Sequence, residues 1–327
     1  MKLAVIGAGS WGTALSVLLA EADHEVRLWD IDGRHLETIA TTRENRKFLS
    51  GIRLPGGVRV TPELEAAISG VDGTVFAVPS HALRSAATGV ARSGASGIPV
   101  CATKGLELTT QERPTSILAG ALDDPHPVLL VGPSHAEEVS RGVPTTVVAA
   151  CAEDSRATAV QRWFSGPRFR VYTNRDVTGC EYGAALKNVI AIAAGVCDGL
   201  GYGDNTKGAL LTRGLAEIAR LGTALGGRRE TFFGLTGMGD LITTAISRHS
   251  RNRGLGERLG RGETLEQILK SMVMVAEGVN TARAALGLAR RHQVDLPITE
   301  QMCAIFDGRS PREALDALMT RELKSEV

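Results

Sequence analysis

Residues Glu181 to Gly195, EYGAALKNVIAIAAG, read as a helix with no face that water could wet. Nearly every side chain from Ala184 to Ala194 is small or aliphatic, so the segment has to lie inside a packed domain. Lys187 and Asn188 nevertheless sit in its middle. An ammonium group taken out of water costs several kcal/mol unless it is paired or gives up its proton. Two readings are open on these residues alone. Lys187 is either a structural lysine that reaches a helix end or solvent, or an acid/base lysine. In the second case burial lowers its pKa from the ordinary value of about 10.4.

The chain has 327 residues, enough for two domains and a substantial core. Lys and Arg number 37 against 36 Asp and Glu, so no global field favours nucleic acid or an anionic membrane. Aromatic residues are only 4%, which also argues against base-stacking surfaces and leaves a small polar ligand as the better match. Cys101, Cys151, Cys180, Cys197 and Cys303 are scattered and never spaced as CxxC. They predict reduced, buried thiols in a cytosolic protein, with neither a disulfide framework nor a metal site. The opening Met1–Ile6 has the look of a signal peptide, but Gly7, Gly9, Trp11 and Gly12 interrupt it at once. With no run of 18 apolar residues in the sequence, the expectation is a soluble, cytoplasmic protein without a membrane span.

Short β-rich runs alternate with helical or loop segments as far as about residue 175. They are Lys2–Ile6, Glu25–Trp29, Gly57–Val60, Gly73–Val78, Ile98–Ala102, Val128–Val131, Thr145–Ala149 and Arg168–Thr173. Several are continuously apolar, as strands covered on both faces are, and the alternation predicts a parallel, doubly wound α/β sheet. After Asn174 the strand signals stop and helical patterns follow. The expected division is a dinucleotide-binding Rossmann-type domain over 1–177 and an all-helical substrate domain over 178–327. On the helix Thr206–Gly222, the side chains Arg213, Glu217 and Arg220 read as an ion-paired solvated or interdomain face.

Gly7-Ala8-Gly9-Ser10-Trp11-Gly12 fits GxGxxG between the strand KLAVI and a helical segment. Its glycines permit a tight turn and close backbone approach, and the helix N-terminus stabilises a pyrophosphate. Asp30 ends the second strand, where an acidic residue accepts hydrogen bonds from ribose hydroxyls and repels a 2′-phosphate. Asp32 adds a second negative charge, whereas Arg34 is placed to swing in and offset both; the reading leans to NAD over NADP. Three more clusters are candidates for one site. Lys104 follows the strand IPVCA. Gly132-Pro133-Ser134-His135-Ala136 follows VLLV. Ser250-Arg251-Asn252-Arg253 opens a helix with the groups that suit a phosphate. Asp240 and Thr244 lie on or beside the Gly-rich GMGD loop, where Asp240 either positions the lysine or caps a helix.

Taken together, GAGSWGTAL, ATKGLE, GPSHAEE, ALKNVIAIAAG, GLTGMGDL, HSRNR and the AEG at 276–278 resemble, in order and spacing, the bacterial NAD(P)-dependent glycerol-3-phosphate dehydrogenases. The resemblance runs from about residue 1 to 315. It implies reversible reduction of dihydroxyacetone phosphate to sn-glycerol 3-phosphate for phospholipid synthesis, with NAD or NADP as cofactor. By resemblance Lys187 is the proton donor and acceptor, while Lys104, Gly132, Ser134, Asp240, Ser250, Arg251 and Asn252 hold substrate. Ser10, Trp11, Lys104, Ala136, Arg251, Val275 and Glu277 touch the cofactor, and Asn188 and Thr244 belong to a polar network around the lysine. Two departures stand out. Asp30-Ile31 occupies a position that is neutral or basic in many relatives, and Ala245-Ile246 lies where relatives often carry Cys and Thr. A hydroxy-acid dehydrogenase and a non-catalytic redox sensor are the competing readings. A homodimer is ordinary for this architecture.

Overall fold

The computed structural model describes residues 1–94, 97–323 and 325. Its strands are β1 Lys2–Ile6, β2 Glu25–Trp29, β3 Val58–Val60, β4 Gly73–Phe76, β5 Ile98–Cys101, β6 Val128–Val131, β7 Thr145–Ala150 and β8 Phe169–Asn174. They form one sheet in the order β3-β2-β1-β4-β5-β6-β7-β8. Helices α1 Ser10–Glu21, α2 Gly33–Thr42, α3 Leu64–Ile68, α4 Ser80–Arg92, α5 Pro114–Leu122, α6 Ala136–Val139 and α7 Asp154–Phe164 lie between the strands. Successive strand side chains point to opposite faces, so Leu3 and Val5 enter one core while Ala4 and Ile6 enter the other. This explains why β1 and β6 read as unbroken apolar runs.

The sheet is doubly wound and mostly parallel, as the sequence predicts, with one antiparallel pair. β7 runs antiparallel to β6, pairing Leu129 with Ala150 and Val131 with Val148, and β8 is parallel to β7. The connection from β6 to β7 holds only the four-residue α6. One turn of helix does not carry the chain across a sheet and back, so the chain doubles back instead. An apolar run looks the same in either direction, and the sequence is silent on this reversal.

Among the described residues only helices follow β8: α8 Val177–Gly199, α9 Asp204–Ala224, α10 Arg229–Phe232, a π-helical turn Leu235–Gly239, α11 Asp240–Ile246, α12 Arg251–Gly260, α13 Leu265–Ser271, α14 Gly278–His292, α15 Pro297–Phe306 and α16 Pro311–Met319. α8 is the axis of this part. Asp176 caps it by accepting from Gly179 N, and every residue from Gly179 to Cys197 is buried. By length and composition α8 could cross a membrane, but it is enclosed by the fold. Buried Glu181 accepts hydrogen bonds from Thr115 N and Oγ1 and from Arg113, which ties α8 to α5.

α12 crosses α8 through glycines. A Cβ on Gly256 would lie 1.9 Å from the Ile192 carbonyl oxygen, and one on Gly195 would lie 2.0 Å from that of Arg253. The backbones therefore touch, which fixes the start of α12 against the middle of α8. Gly256→Val is expected to destabilise the protein by about 3 kcal/mol, because two backbones would have to separate. It should also raise the KM for substrate by moving α12. Thermal unfolding and kinetics check this; an unchanged Tm would remove the close crossing as a constraint.

The Arg213–Glu217–Arg220 reading is corrected. Glu217 is buried and accepts from Ile298 N and from Thr299 N and Oγ1, so it caps α15 rather than pairing at a wet face. Arg220 turns outward and donates to the Asp295 carbonyl oxygen.

Candidate active site

β1 ends in Gly7, whose φ of +108° and close approach to Ala77 O, 2.9 Å from a built Cβ, admit no side chain. A Cβ on Gly12 would lie 1.9 Å from Gly7 O, so α1 starts hard against the turn. Gly9 differs: a Cβ there meets nothing within 4 Å, which leaves open space beside the backbone for a ligand. The turn is clamped at Ala8, whose N–H donates to Asp30 Oδ2 at 2.6 Å and whose carbonyl accepts from buried Asn45 Nδ2 at 2.7 Å. Asp30 therefore has a structural task as well as facing the pocket. Its second carboxylate oxygen accepts from Asp32 N at 3.0 Å. Asp32 caps α2 and lies 3.8 Å from Lys47, while Arg34 is exposed. The Trp11 Nε1 donor is buried at this end and has no partner among the described residues. Open backbone and a helix N-terminus together suit a dinucleotide.

The cleft, of about 400 Å³, runs from Gly7 and Gly9 across the carboxyl ends of β1, β4, β5 and β6 to α8, α11 and α12. Its centre is a carboxylate between two ammonium groups. Lys187 Nζ donates to Asp240 Oδ1 at 2.7 Å and to Thr244 Oγ1. Lys104 Nζ donates to Asp240 Oδ2 at 3.0 Å and to the Gly132 carbonyl oxygen at 2.8 Å. Thr244 donates back to the Asp240 carbonyl oxygen at 2.6 Å. Lys187 is 4% exposed and Asp240 1%, so neither is a surface group. Burial lowers the Lys187 ammonium to about 8; Asp240 opposes the shift and Lys104 adds to it. Burial acts to raise the Asp240 carboxyl, but the two ammonium groups outweigh it and hold it below the usual carboxylate range. Lys187 is thus a buried, paired ammonium poised to lose its proton in the physiological range. The alternative of a lysine reaching solvent is removed.

The far end is built by the glycine-packed start of α12. Ser250 caps α12 by accepting from Arg253 N at 3.1 Å. Asn252 donates to Asn188 Oδ1 at 3.0 Å and accepts from Gly278 N at 3.0 Å, joining α12, α8 and α14. Arg251 stands exposed in the cleft, and Glu277 and Glu137 act on it through space rather than through hydrogen bonds. Among the described residues its forked guanidinium has no hydrogen-bond partner, which leaves it open to an anion beside the positive end of α12. Glu277 accepts from Ser80 N at 2.9 Å and Oγ at 2.6 Å, so it latches the start of α14 onto α4 across the cleft.

A family model described as NAD-dependent glycerol-3-phosphate dehydrogenase C-terminus matches residues 176–316, and its N-terminus counterpart matches residues 2–157. The chain belongs to the NAD-dependent glycerol-3-phosphate dehydrogenase family. Glycerol-3-phosphate dehydrogenase (NAD(P)+) of Pelodictyon phaeoclathratiforme is 47% identical to it over 331 residues, covering 100% of this chain and 99% of that protein. The same-named protein of Moorella thermoacetica is 49% identical over 328 residues, covering 100% and 98%. A crystal structure of glycerol-3-phosphate dehydrogenase from Coxiella burnetii superposes with a TM-score of 0.94 at 34% identity, covering 98% of this chain and 99% of that one. A ketopantoate reductase from Ralstonia eutropha, 16% identical with a TM-score of 0.61, shares the fold.

In this glycerol-3-phosphate dehydrogenase family member, one cleft gathers Gly7, Gly9, Ser10, Trp11, Asp30, Lys104, Ser134, Ala136, Lys187 and Asn188. Asp240, Thr244, Ser250, Arg251, Asn252, Val275 and Glu277 line it too. Gly12 and Gly132 stand behind the lining: Gly12 supports the turn, and the Gly132 carbonyl holds Lys104. Asp240 is not a helix cap; its side chain is spent on the lysines. Sequence reasoning missed Asn45, Ser80, Lys47, Phe48, His35 and the cleft-lining rings of His135 and His249. Of these only His135 and His249 lay inside motifs that had been singled out.

Proposed function

We propose that the chain catalyses the reversible reduction of dihydroxyacetone phosphate to sn-glycerol 3-phosphate with a nicotinamide dinucleotide, feeding glycerophospholipid synthesis. The observation that carries this is the Lys187–Asp240–Lys104 cluster set between the Gly-rich turn and an unpaired Arg251. A bound nicotinamide supplies the hydride. The chain's own residues do the rest. Lys187 Nζ holds a proton beside the carbonyl oxygen, stabilises negative charge as it develops there, and then releases the proton to it. Asp240 and Thr244 aim that ammonium, and Lys104 adds a second positive charge near the same oxygen. Arg251 grips the phosphate, so binding energy remote from the reacting carbon orients the carbonyl. Asn188 and Asn252 keep α12 in register with Lys187, and Ser134 Oγ and Ala136 line the wall beside Gly132.

The same proposal assigns residues 1–177 to the nucleotide and 178–327 to the catalytic lysine and substrate. Asp30 and Asp32 favour NADH over NADPH, because both carboxylates face the end where a 2′-phosphate would sit; Lys47 offsets only part of that charge. A cytoplasmic setting is supported by five buried, unbridged thiols. A homodimer is supported by exposed Met238, Ile242 and Ile246, which recur at four-residue spacing. The test is oxidation of NADH and NADPH, followed by absorbance, with dihydroxyacetone phosphate. Rapid oxidation with NADH ahead of NADPH is expected. No oxidation of either, with dinucleotide binding intact, would overturn the phosphate substrate in favour of a carboxylate-bearing one.

A further inference from the structure

His135 has no part in the chemistry above, yet its ring lines the cleft. It occupies the N-cap position of α6, directly after the Gly132–Ser134 turn. Its Nε2 is buried and meets no hydrogen-bond partner among the described residues. With Nε2 buried, the accessible part of the ring is its other edge, and that edge is what a ligand in the cleft meets. The His249 ring lies 6.1 Å away, tilted by 51°. His249 immediately precedes Ser250 and Arg251 in the chain and lines the same cleft.

Charges face His135 from four elements: Lys187 on α8, Lys104 after β5, Asp240 on α11 and Glu137 on α6. Burial first, and then the two ammonium groups, hold its imidazole below the ordinary histidine value, with Asp240 and Glu137 opposing. These groups leave the ring neutral at neutral pH. A phosphate dianion bound in the same cleft adds negative charge there and favours the imidazolium.

We infer that His135, steadied by His249, takes up a proton as the dianionic phosphate of the substrate binds, and so becomes a substrate contact in the cleft. The inference rests on the phosphate-substrate reading above. Only an N–H bond forms; its proton comes from solvent, and no electrons are transferred.

Calorimetric titration of the dinucleotide-bound protein with sn-glycerol 3-phosphate, in buffers of different ionisation enthalpy, measures the proton uptake directly. Uptake is expected in the unaltered protein and absent in His135→Gln, which keeps Lys187 and so separates the uptake from titration of the lysine. His135→Gln should also raise the KM for dihydroxyacetone phosphate about tenfold, the effect of losing one charge-assisted hydrogen bond, while kcat changes little. Its KM should also lose the rise with pH that proton uptake imposes on the unaltered protein. Binding without uptake in the unaltered protein, or uptake and KM unmoved by His135→Gln, would overturn the inference alone. Failure of the unaltered protein to bind glycerol 3-phosphate would overturn the function reading and the inference with it.

Discussion

Lys187→Met will lower turnover roughly a thousandfold or more while dinucleotide affinity stays within about twofold, because the substitution removes the proton donor and leaves the Gly-rich turn untouched. Fluorescence titration with NADH and steady-state rates with dihydroxyacetone phosphate check the two halves. Retention of more than a few per cent of activity would end the acid/base role. The same residue sets a pH signature. Its ammonium titrates at about 8, so the proton needed for ketone reduction is present below that pH and lost above it. kcat/KM for reduction should therefore fall as pH rises through about 8, and kcat/KM for alcohol oxidation should rise through the same region. A reduction profile flat from neutral pH through the Lys187 titration would contradict the assignment.

Arg251→Ala is expected to raise the KM for dihydroxyacetone phosphate about 100-fold, with a smaller fall in kcat. Charge-assisted, forked hydrogen bonds to a dianion are worth roughly 1.5–3 kcal/mol, which by itself gives a factor of about ten to a hundred. Among the described residues the Arg251 guanidinium at the α12 start has no partner, whereas Ser250 and Asn252 already have protein partners. Arg251→Lys should recover only part of the loss, since one ammonium cannot reproduce the fork. An unchanged KM in Arg251→Ala would remove it from the phosphate site.

Much of this was legible in the chain because the signals are local. β1 and β6 announce themselves as apolar runs, the Gly7–Gly12 turn by its spacing, and Lys187 by its incompatibility with its neighbours. What was not legible depends on which distant segment arrives. Nothing near Glu217 says that the N-terminus of α15 will be placed over it, so a charged residue between two arginines reads as surface. Asn45 looks like a loop residue until the turn at Ala8 is folded against it. The close crossing of α8 and α12 did leave a trace, since Gly195 and Gly199, like Gly256 and Gly260, are four apart and line one side of a helix. Only the pairing of the two glycine rows was hidden.

The reversal at β7 decides where the lysine helix begins. Because Asn174 pairs with Ala150, and Ala150 with Leu129, β8 finishes level with the start of β6, on the floor of the sheet away from the cleft. α8 therefore rises from that floor, and ten residues of helix, about 15 Å, lift Lys187 to the level of Gly132 at the roof. The helix acts as a ruler, with its zero mark at Asp176 and the ammonium at a fixed graduation. One residue more or less between them would turn Lys187 by about 100° away from Asp240, so the distance from floor to chemistry is written as a residue count.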